Sequence, residues 1–275
     1  MVPKNQNFTV LKPRFLKKKW IKLIFYGYII YPMCDLLGIS CNEMERASRS
    51  LPEFALRYSE RNRHGWGIAY FDGAHAVIKR DTGKAKNSKK FSQTWKKVRS
   101  KNFVAHLRLK SQGEEHVLSC HPFKEELMGR NLIFAHNGTV YGFQPHKNAC
   151  GGTDSESIFK EMVDYMRYYM KGGKIHGLYP ALVDAIQKIF KHYGRDITLN
   201  FLMSDGSMYY VFNHYQGAPV YMLKRKPGLG KPSDSSKRAI LFSTKTFTDE
   251  NWVKLPKDRL LVANNGEVIT LSDPI

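Results

Sequence analysis

An α+β fold with sheets and helices in layers is what this sequence predicts, and three observations predict it. Strand-like segments lead, two amphipathic helices then follow one another directly, and the chain from Ile197 onward returns to strands. Runs of strands and runs of helices segregate into layers, whereas a parallel sheet needs alternating strand and helix. The 275 residues, 42% hydrophobic and 13% aromatic, supply a sizeable core. That composition excludes a disordered tail, a collagen and a disulfide-stapled miniprotein.

The first 33 residues stand apart. Lys4, Lys12, Arg14, Lys17, Lys18, Lys19 and Lys22 occur with no acid, and an apolar run from Trp20 to Tyr31 is interrupted only by Lys22. This resembles the start of a signal peptide, but Ile30, Tyr31, Pro32 and Met33 give no small-residue cleavage site. The run is also shorter than the ~20 apolar residues a membrane span needs. Three readings stand: a misplaced start with Met33 as the true first residue, a removable propeptide, and a retained anchor. The first is the expectation, giving an extension over 1–33 and one domain over 34–275.

Beyond Met33, 67–71 and 76–79 flank Asp72-Gly73 and predict a hairpin. Residues 103–109 and 132–135 are strand-like. Ile158, Met162, Tyr165 and Tyr169 recur at helical spacing and predict a helix over 154–170 with Thr153 or Asp154 as its cap. A second helix over 178–193 carries Pro180 in its first turn. Strands follow over 197–203, 208–213, 220–225, 239–243, 260–263 and 268–271, with turn signals at Ser204-Asp205-Gly206 and Asn264-Asn265-Gly266. Residues 224–237, with Pro, Gly and Ser, predict a loop.

The net charge is +20. Seven of the cations lie in residues 1–32, and the rest are dispersed apart from 84–90 and 96–101. With no zinc-finger spacing, RNP run or recognition helix, this predicts a basic, solvated surface and no specific nucleic-acid site. The four cysteines, 34, 41, 120 and 150, form no CxxC pair and no metal-ligand spacing. They predict no metal site and a reducing, cytoplasmic compartment.

Cys34 follows Met33 directly. If the chain begins there, removal of methionine puts a thiol and a free α-amine on one residue, and an amine of pKa near 8 can serve as base for that thiol. On its own the dipeptide equally suits a buried small hydrophobe at the start of a strand. Asn137-Gly138 follows a strand and predicts a turn ending it. There the Asn amide and the Gly backbone N–H can converge on one oxyanion, although Asn-Gly is also the favoured pair of a simple hairpin. Arg108 shares a strand face with His106, opposite Leu107 and Leu109, and a guanidinium there can grip a carboxylate. Asp154, at a helix start, can pair with an ammonium group or serve as a cap.

Cys34 opens CDLLGIS, and then come HGWGIAY at 64–70, AHLRLKSQG at 105–113, HPF at 121–123, FAHNGTV at 134–140 and GTDSES at 152–157. In this order the motifs resemble the class II glutamine amidotransferase domain of the N-terminal nucleophile hydrolase superfamily, of the stand-alone type. The resemblance implies a four-layer αββα sandwich. It implies Cys34 as nucleophile, and Asn137 and Gly138 as the oxyanion hole. It implies Arg108 on the α-carboxylate and Asp154 on the α-amino group of glutamine, with Ser111 supplying a hydroxyl that helps hold it. The implied reaction is thiol attack on the γ-carbonyl of glutamine or a γ-glutamyl compound, through a thioester, releasing glutamate. It requires no metal or organic cofactor. Leu109 and Gln112 depart from the Trp and His of the sugar-synthase branch, so the pocket's details differ there.

No room remains for a familiar acceptor module. The expectation is either a separate synthase subunit that takes the ammonia or a plain γ-glutamyl amidohydrolase. A non-catalytic basic or membrane-tethered binding protein is the alternative if residues 1–33 are retained. His106 and His121 are expected to be structural and hydrogen-bonded in the core, Trp66 to pack, Asp205 and Trp252 to be structural, and Cys41, Cys120 and Cys150 to be ordinary thiols.

Overall fold

The computed structural model describes residues 24–25, 28–29, 33–110, 115–171, 177–225 and 237–275. The chain divides into two compact units, Met1–Tyr31 and Pro32–Ile275. In the first, β1 (Ile24–Phe25) pairs antiparallel with β2 (Tyr28–Ile29). The basic stretch before them lies outside the described residues.

The second unit runs β3 (Asp35–Glu45), α1 (Ser50–Tyr58), β4 (Trp66–Asp72), β5 (His75–Asp81), α2 (Lys89–Lys97), β6 (Ser100–Leu107), β7 (Phe123–Leu127), β8 (Arg130–Thr139), α3 (Asp154–Lys171) and α4 (Leu178–Tyr193). It continues β9 (Thr198–Ser204), β10 (Met208–Asn213), β11 (Tyr221–Arg225), β12 (Ala239–Ser243), β13 (Val253–Lys254), β14 (Arg259–Asn264) and β15 (Glu267–Leu271). Two antiparallel sheets result, ordered β13-β11-β12-β3-β6-β4-β5 and β15-β14-β10-β9-β8-β7.

Alternation along the strands sets the layers, because successive side chains point to opposite faces. On β3 and β6, Leu37, Ile39, Phe103, Ala105 and Leu107 bury against Leu51, Phe54 and Phe91 of α1 and α2. Their neighbours Leu36 and Val104 instead meet Ile133, Ala135, Leu202 and Val211 of the other sheet. On the far side of that sheet, Leu132, Phe134, Phe201 and Phe212 pack on Ile158, Met162, Ala185 and Ile189 of α3 and α4. Three apolar interfaces between four layers give the expected αββα order. In the outermost interface Phe134 is fully buried and stacks on Phe159 with ring centroids 4.7 Å apart. Phe134→Ala is therefore expected to destabilise the fold by about 3–5 kcal/mol, measurable as a fall in the urea midpoint.

The strongly patterned elements form where expected. α4 occupies 178–193, α3 begins at Asp154, and the 72–75 hairpin turns through Gly73 at φ 59°. Asn265 and Gly266 both adopt positive φ between β14 and β15, and Asp205 Oδ1 accepts from the N–H groups of Ser207 and Met208. Thr153 is the cap of α3: its Oγ1 accepts from Glu156 N at 3.2 Å, while the Glu156 carboxylate takes the N–H groups of Cys150 and Gly151.

One expectation is corrected. Asn137-Gly138 does not form a turn. β8 continues through both residues, which pair with Asn200 and Leu199 of β9. The glycine is required there by close approach rather than by φ, since an added Cβ would run into the Thr198 carbonyl and the His136 ring. Residues 226–236 of the expected loop lie outside the described residues.

Candidate active site

The inter-sheet face gathers most of the candidate residues. Cys34 stands one residue before β3, in phase with Leu36, and the β3–β6 register (Asp35↔Leu107, Leu36↔His106) extends to place Cys34 beside Arg108. His106 and Arg108 are in phase with Val104, so they face the same cleft. From the opposite sheet, Asn137 is in phase with Ile133 and Ala135 on the inter-sheet face, and its neighbours His136 and Gly138 line the cleft. Cys34, His106, Arg108, Gly138, Thr139, Val140 and Asp154 line one cavity of about 410 Å³, within the size range of small-molecule sites.

The Cys34 thiol lies against the backbone of Leu109, with Sγ 3.2 Å from its N and 3.3 Å from its O. Burial pushes this thiol up to about 12; the Leu109 contact and Arg108 oppose that, whereas Asp35 and Asp154 add to it. The residue is half-buried, and a thiol raised in this way needs a proton acceptor before it can act as a nucleophile. No histidine among the described residues hydrogen-bonds Sγ.

Asn137 is 1% exposed, and neither its Nδ2 nor its Oδ1 has a hydrogen-bond partner among the described residues. A buried amide in that condition is costly unless a ligand completes it. The Gly138 N–H is placed by the ladder. In antiparallel pairing alternate N–H groups point to opposite edges, and the His136 N–H leaves β8 on the β7 side to meet His121 Nδ1 at 3.3 Å. The Gly138 N–H points the same way, past the stretch that β7 pairs, toward the cavity that Gly138 lines.

Arg108 is 6% exposed with Nη1 unpartnered among the described residues, while its backbone continues the β6–β4 ladder through Gly65 O at 2.8 Å. Asp154, first residue of α3, accepts from Val140 N at 2.8 Å through Oδ2 and from Ser155 N at 2.8 Å through Oδ1. Its position is thereby locked to the loop that continues β8. Ser111 lies outside the described residues.

The floor is a histidine group that the sequence reading recognised only in part. His106 and His121 stack at 4.2 Å, and His136 joins Ser155 Oγ and the Thr198 carbonyl, both at 2.9 Å. His136 sits in the FAHNGTV motif; its one signal was its place beside Asn137. His106, expected to be hydrogen-bonded, has no partner on either ring nitrogen among the described residues. Burial holds all three in the neutral form: His106 is lowered to about 3, and His121 well below its ordinary value. Their depressed folded values mean that this stabilisation is complete above the unfolded value of about 6.5 and is lost as pH falls below it. His106 and His121 should each remove about 1 kcal/mol between pH 7.5 and 5.5. Urea midpoints at the two pH values check this, and His106→Gln should flatten the dependence.

Trp66 is fully buried and meets Phe91 edge-on at 5.1 Å, Asp205 caps its turn, and Trp252 packs on Phe247. Cys41, Cys120 and Cys150 are free thiols. No group of three metal-ligating side chains occurs among the described residues, and no described helix is long and apolar enough to cross a membrane.

Known proteins resemble this chain in sequence and fold. An uncharacterized protein of Methanocaldococcus jannaschii is 31% identical over 257 residues, spanning 86% of this chain and 71% of its own. A Haemophilus influenzae protein provisionally named a glutamine amidotransferase is 29% identical over 275 residues, 88% of each chain. The crystal structure of a predicted glutamine amidotransferase from Pseudomonas aeruginosa superposes with a TM-score of 0.62 at 24% identity, covering 86% of this chain and all of that one, which establishes a common fold. The family model for class-II glutamine amidotransferases matches residues 33–274, and the chain belongs to that family.

Proposed function

We propose that this protein hydrolyses the γ-amide of glutamine or of a γ-glutamyl compound, with a chain that begins at Cys34. The observation that carries the reading is the convergence of Cys34, Arg108, Gly138 and Asp154 on one cavity, with the buried, unpartnered amide of Asn137 adjoining Gly138 on the opposite sheet. Arg108 takes the α-carboxylate, its free Nη1 completing the pair, and Asp154 Oδ atoms take the α-ammonium. This fixes the amino-acid head and sends the γ-carbonyl toward Sγ. Ser111 is proposed to add a hydroxyl contact.

The α-amine of Cys34 removes the thiol proton, Sγ bonds to the carbonyl carbon of the γ-amide, and the oxyanion is held by Asn137 Nδ2 and the Gly138 N–H. The amine then returns its proton to the departing nitrogen, and a thioester remains. Water attacks the thioester carbon, glutamate leaves, and the thiol is restored. The high thiol value imposed by burial is the physical reason that a base on the same residue is needed. Residues 1–33 must be absent for that amine to exist. Released ammonia passes either to water or to a separate synthase subunit; a cytoplasmic setting suits the free thiols.

Mass and N-terminal sequence of the protein from its host, with glutamate release from glutamine and from γ-glutamyl peptides measured side by side, test the reading. A chain beginning at Cys34 that releases glutamate supports it, and the better substrate shows whether the leaving group is ammonia or a larger amine. A host protein still carrying residues 1–33 and inactive on both substrates removes it.

A further inference from the structure

Behind the nucleophile lies a second polar group, on the opposite face of β3 from the cavity. Asp35 is in phase with Leu37, so its side chain turns toward the α1 layer. It is 1% exposed, and its carboxylate accepts from Asn62 Nδ2 at 2.6 Å and Thr244 Oγ1 at 3.2 Å. Asn62 is itself fully buried, with Oδ1 unpartnered among the described residues. Two cations attend this carboxylate, exposed Arg61 after α1 and half-buried Lys245 after β12. Arg61 Nη2 also reaches the Met33 carbonyl oxygen at 3.5 Å.

That last contact locates Arg61. The Met33 carbonyl carbon is bonded to Cys34 N, so the guanidinium stands within a few ångströms of the atom that becomes the α-amine when the chain begins at Cys34. Removing Met33 takes away the oxygen and leaves Arg61 facing the amine. Lys245 belongs to the same cluster: it directly follows Thr244, whose hydroxyl donates to Asp35 at 3.2 Å, and its ammonium is influenced by both Asp35 and Arg61. Burial raises the Asp35 carboxyl above its ordinary value, and Arg61, Lys245 and the hydrogen bonds from Asn62 and Thr244 oppose that rise.

We propose that Arg61 and Lys245, opposed by Asp35, act as positioning residues that keep the α-amine of Cys34 uncharged and ready to accept the thiol proton. This rests on the reading that the chain begins at Cys34. An ammonium added beside this cluster of two cations and one carboxylate is disfavoured, because a nearby like charge lowers the pKa of an amine. Arg108 after β6 and Asp154 on α3 act on Cys34 with opposite sign from the cavity side, and on α1 stand the neutral phenol of Tyr58 and the opposite charges of Glu53 and Arg57, which pair with each other. Because Arg61 is exposed, its share is screened by salt.

The test uses the chain expressed from Met33, which retains all but one residue of the compact unit Pro32–Ile275. The α-amine pKa is read from the pH dependence of trace acetylation followed by mass spectrometry, a readout independent of turnover. The acid limb of kcat/KM is measured in parallel, since that limb reports the base of the free enzyme. The amine should titrate below the ordinary value near 8. Arg61→Gln and Lys245→Met should each raise it, by about 0.5–1 unit for Arg61 at low salt, and Asp35→Asn should lower it. The acid limb should move the same way.

A structural role predicts lost activity without these opposed shifts. An amine near 8 that ignores both cation substitutions overturns the proposal, and Lys245→Met keeps the test open if Asp35→Asn fails to fold. A depressed, Arg61-dependent amine in a protein that hydrolyses neither substrate supports this inference while removing the catalytic reading.

Discussion

Cys34→Ala is expected to lower glutamate release at least ~10³-fold at saturating substrate, with the fold intact. Removal of an activated nucleophile leaves only binding and oxyanion stabilisation. The fold should survive because the thiol contributes little packing; its contacts are the polar backbone atoms of Leu109. Arg108 and Asp154 remain in place, so the variant should still bind glutamine, measurable by calorimetry. Undiminished turnover by Cys34→Ala would remove the nucleophile assignment; lost turnover together with lost binding would indicate a collapsed pocket.

The second large effect is expected at Asn137. Asn137→Ala should reduce kcat by about 10²–10³-fold, or about 3–4 kcal/mol of transition-state stabilisation, with KM little changed, because the amide serves a charge that exists only after Sγ attacks. Stability should not fall as it would for an ordinary buried asparagine, since neither amide atom has a partner to lose among the described residues. A raised denaturant midpoint with depressed kcat is the signature of a group held for chemistry. Gly138 cannot be tested as cleanly, because a Cβ there collides with the Thr198 carbonyl and distorts β8 itself.

How much could be read in advance differed by element. Residues 178–193 announced a helix because their apolar positions recur at helical spacing and flank a buried stripe. α2 did not: four of its nine residues are lysine, and it buries only Phe91 and Thr94. Its start is set by Ser88, whose Oγ accepts from Phe91 N at 3.2 Å. β3 was equally quiet, since a strand buried on both faces has no alternation to display.

Within the site, residue types and their order determined the candidates Cys34, Arg108, Asn137, Gly138 and Asp154, because each motif carries a specific donor, acceptor or nucleophile. Sequence also determined the layered α+β class, through the two helical segments placed between runs of strands, while the four-layer order was what the motif resemblance implied. Only the tertiary structure decided which groups meet. Asn137 and Cys34 lie on different sheets, and the proposed joint role of the two depends on the phase of two strands facing across one apolar interface. The extension of β8 through Gly138, the unpartnered ring of His106 and the Arg61–Asp35–Lys245 cluster behind β3 were likewise hidden. Each joins residues distant in the chain, and local periodicity carries no information about which side chains a register brings together.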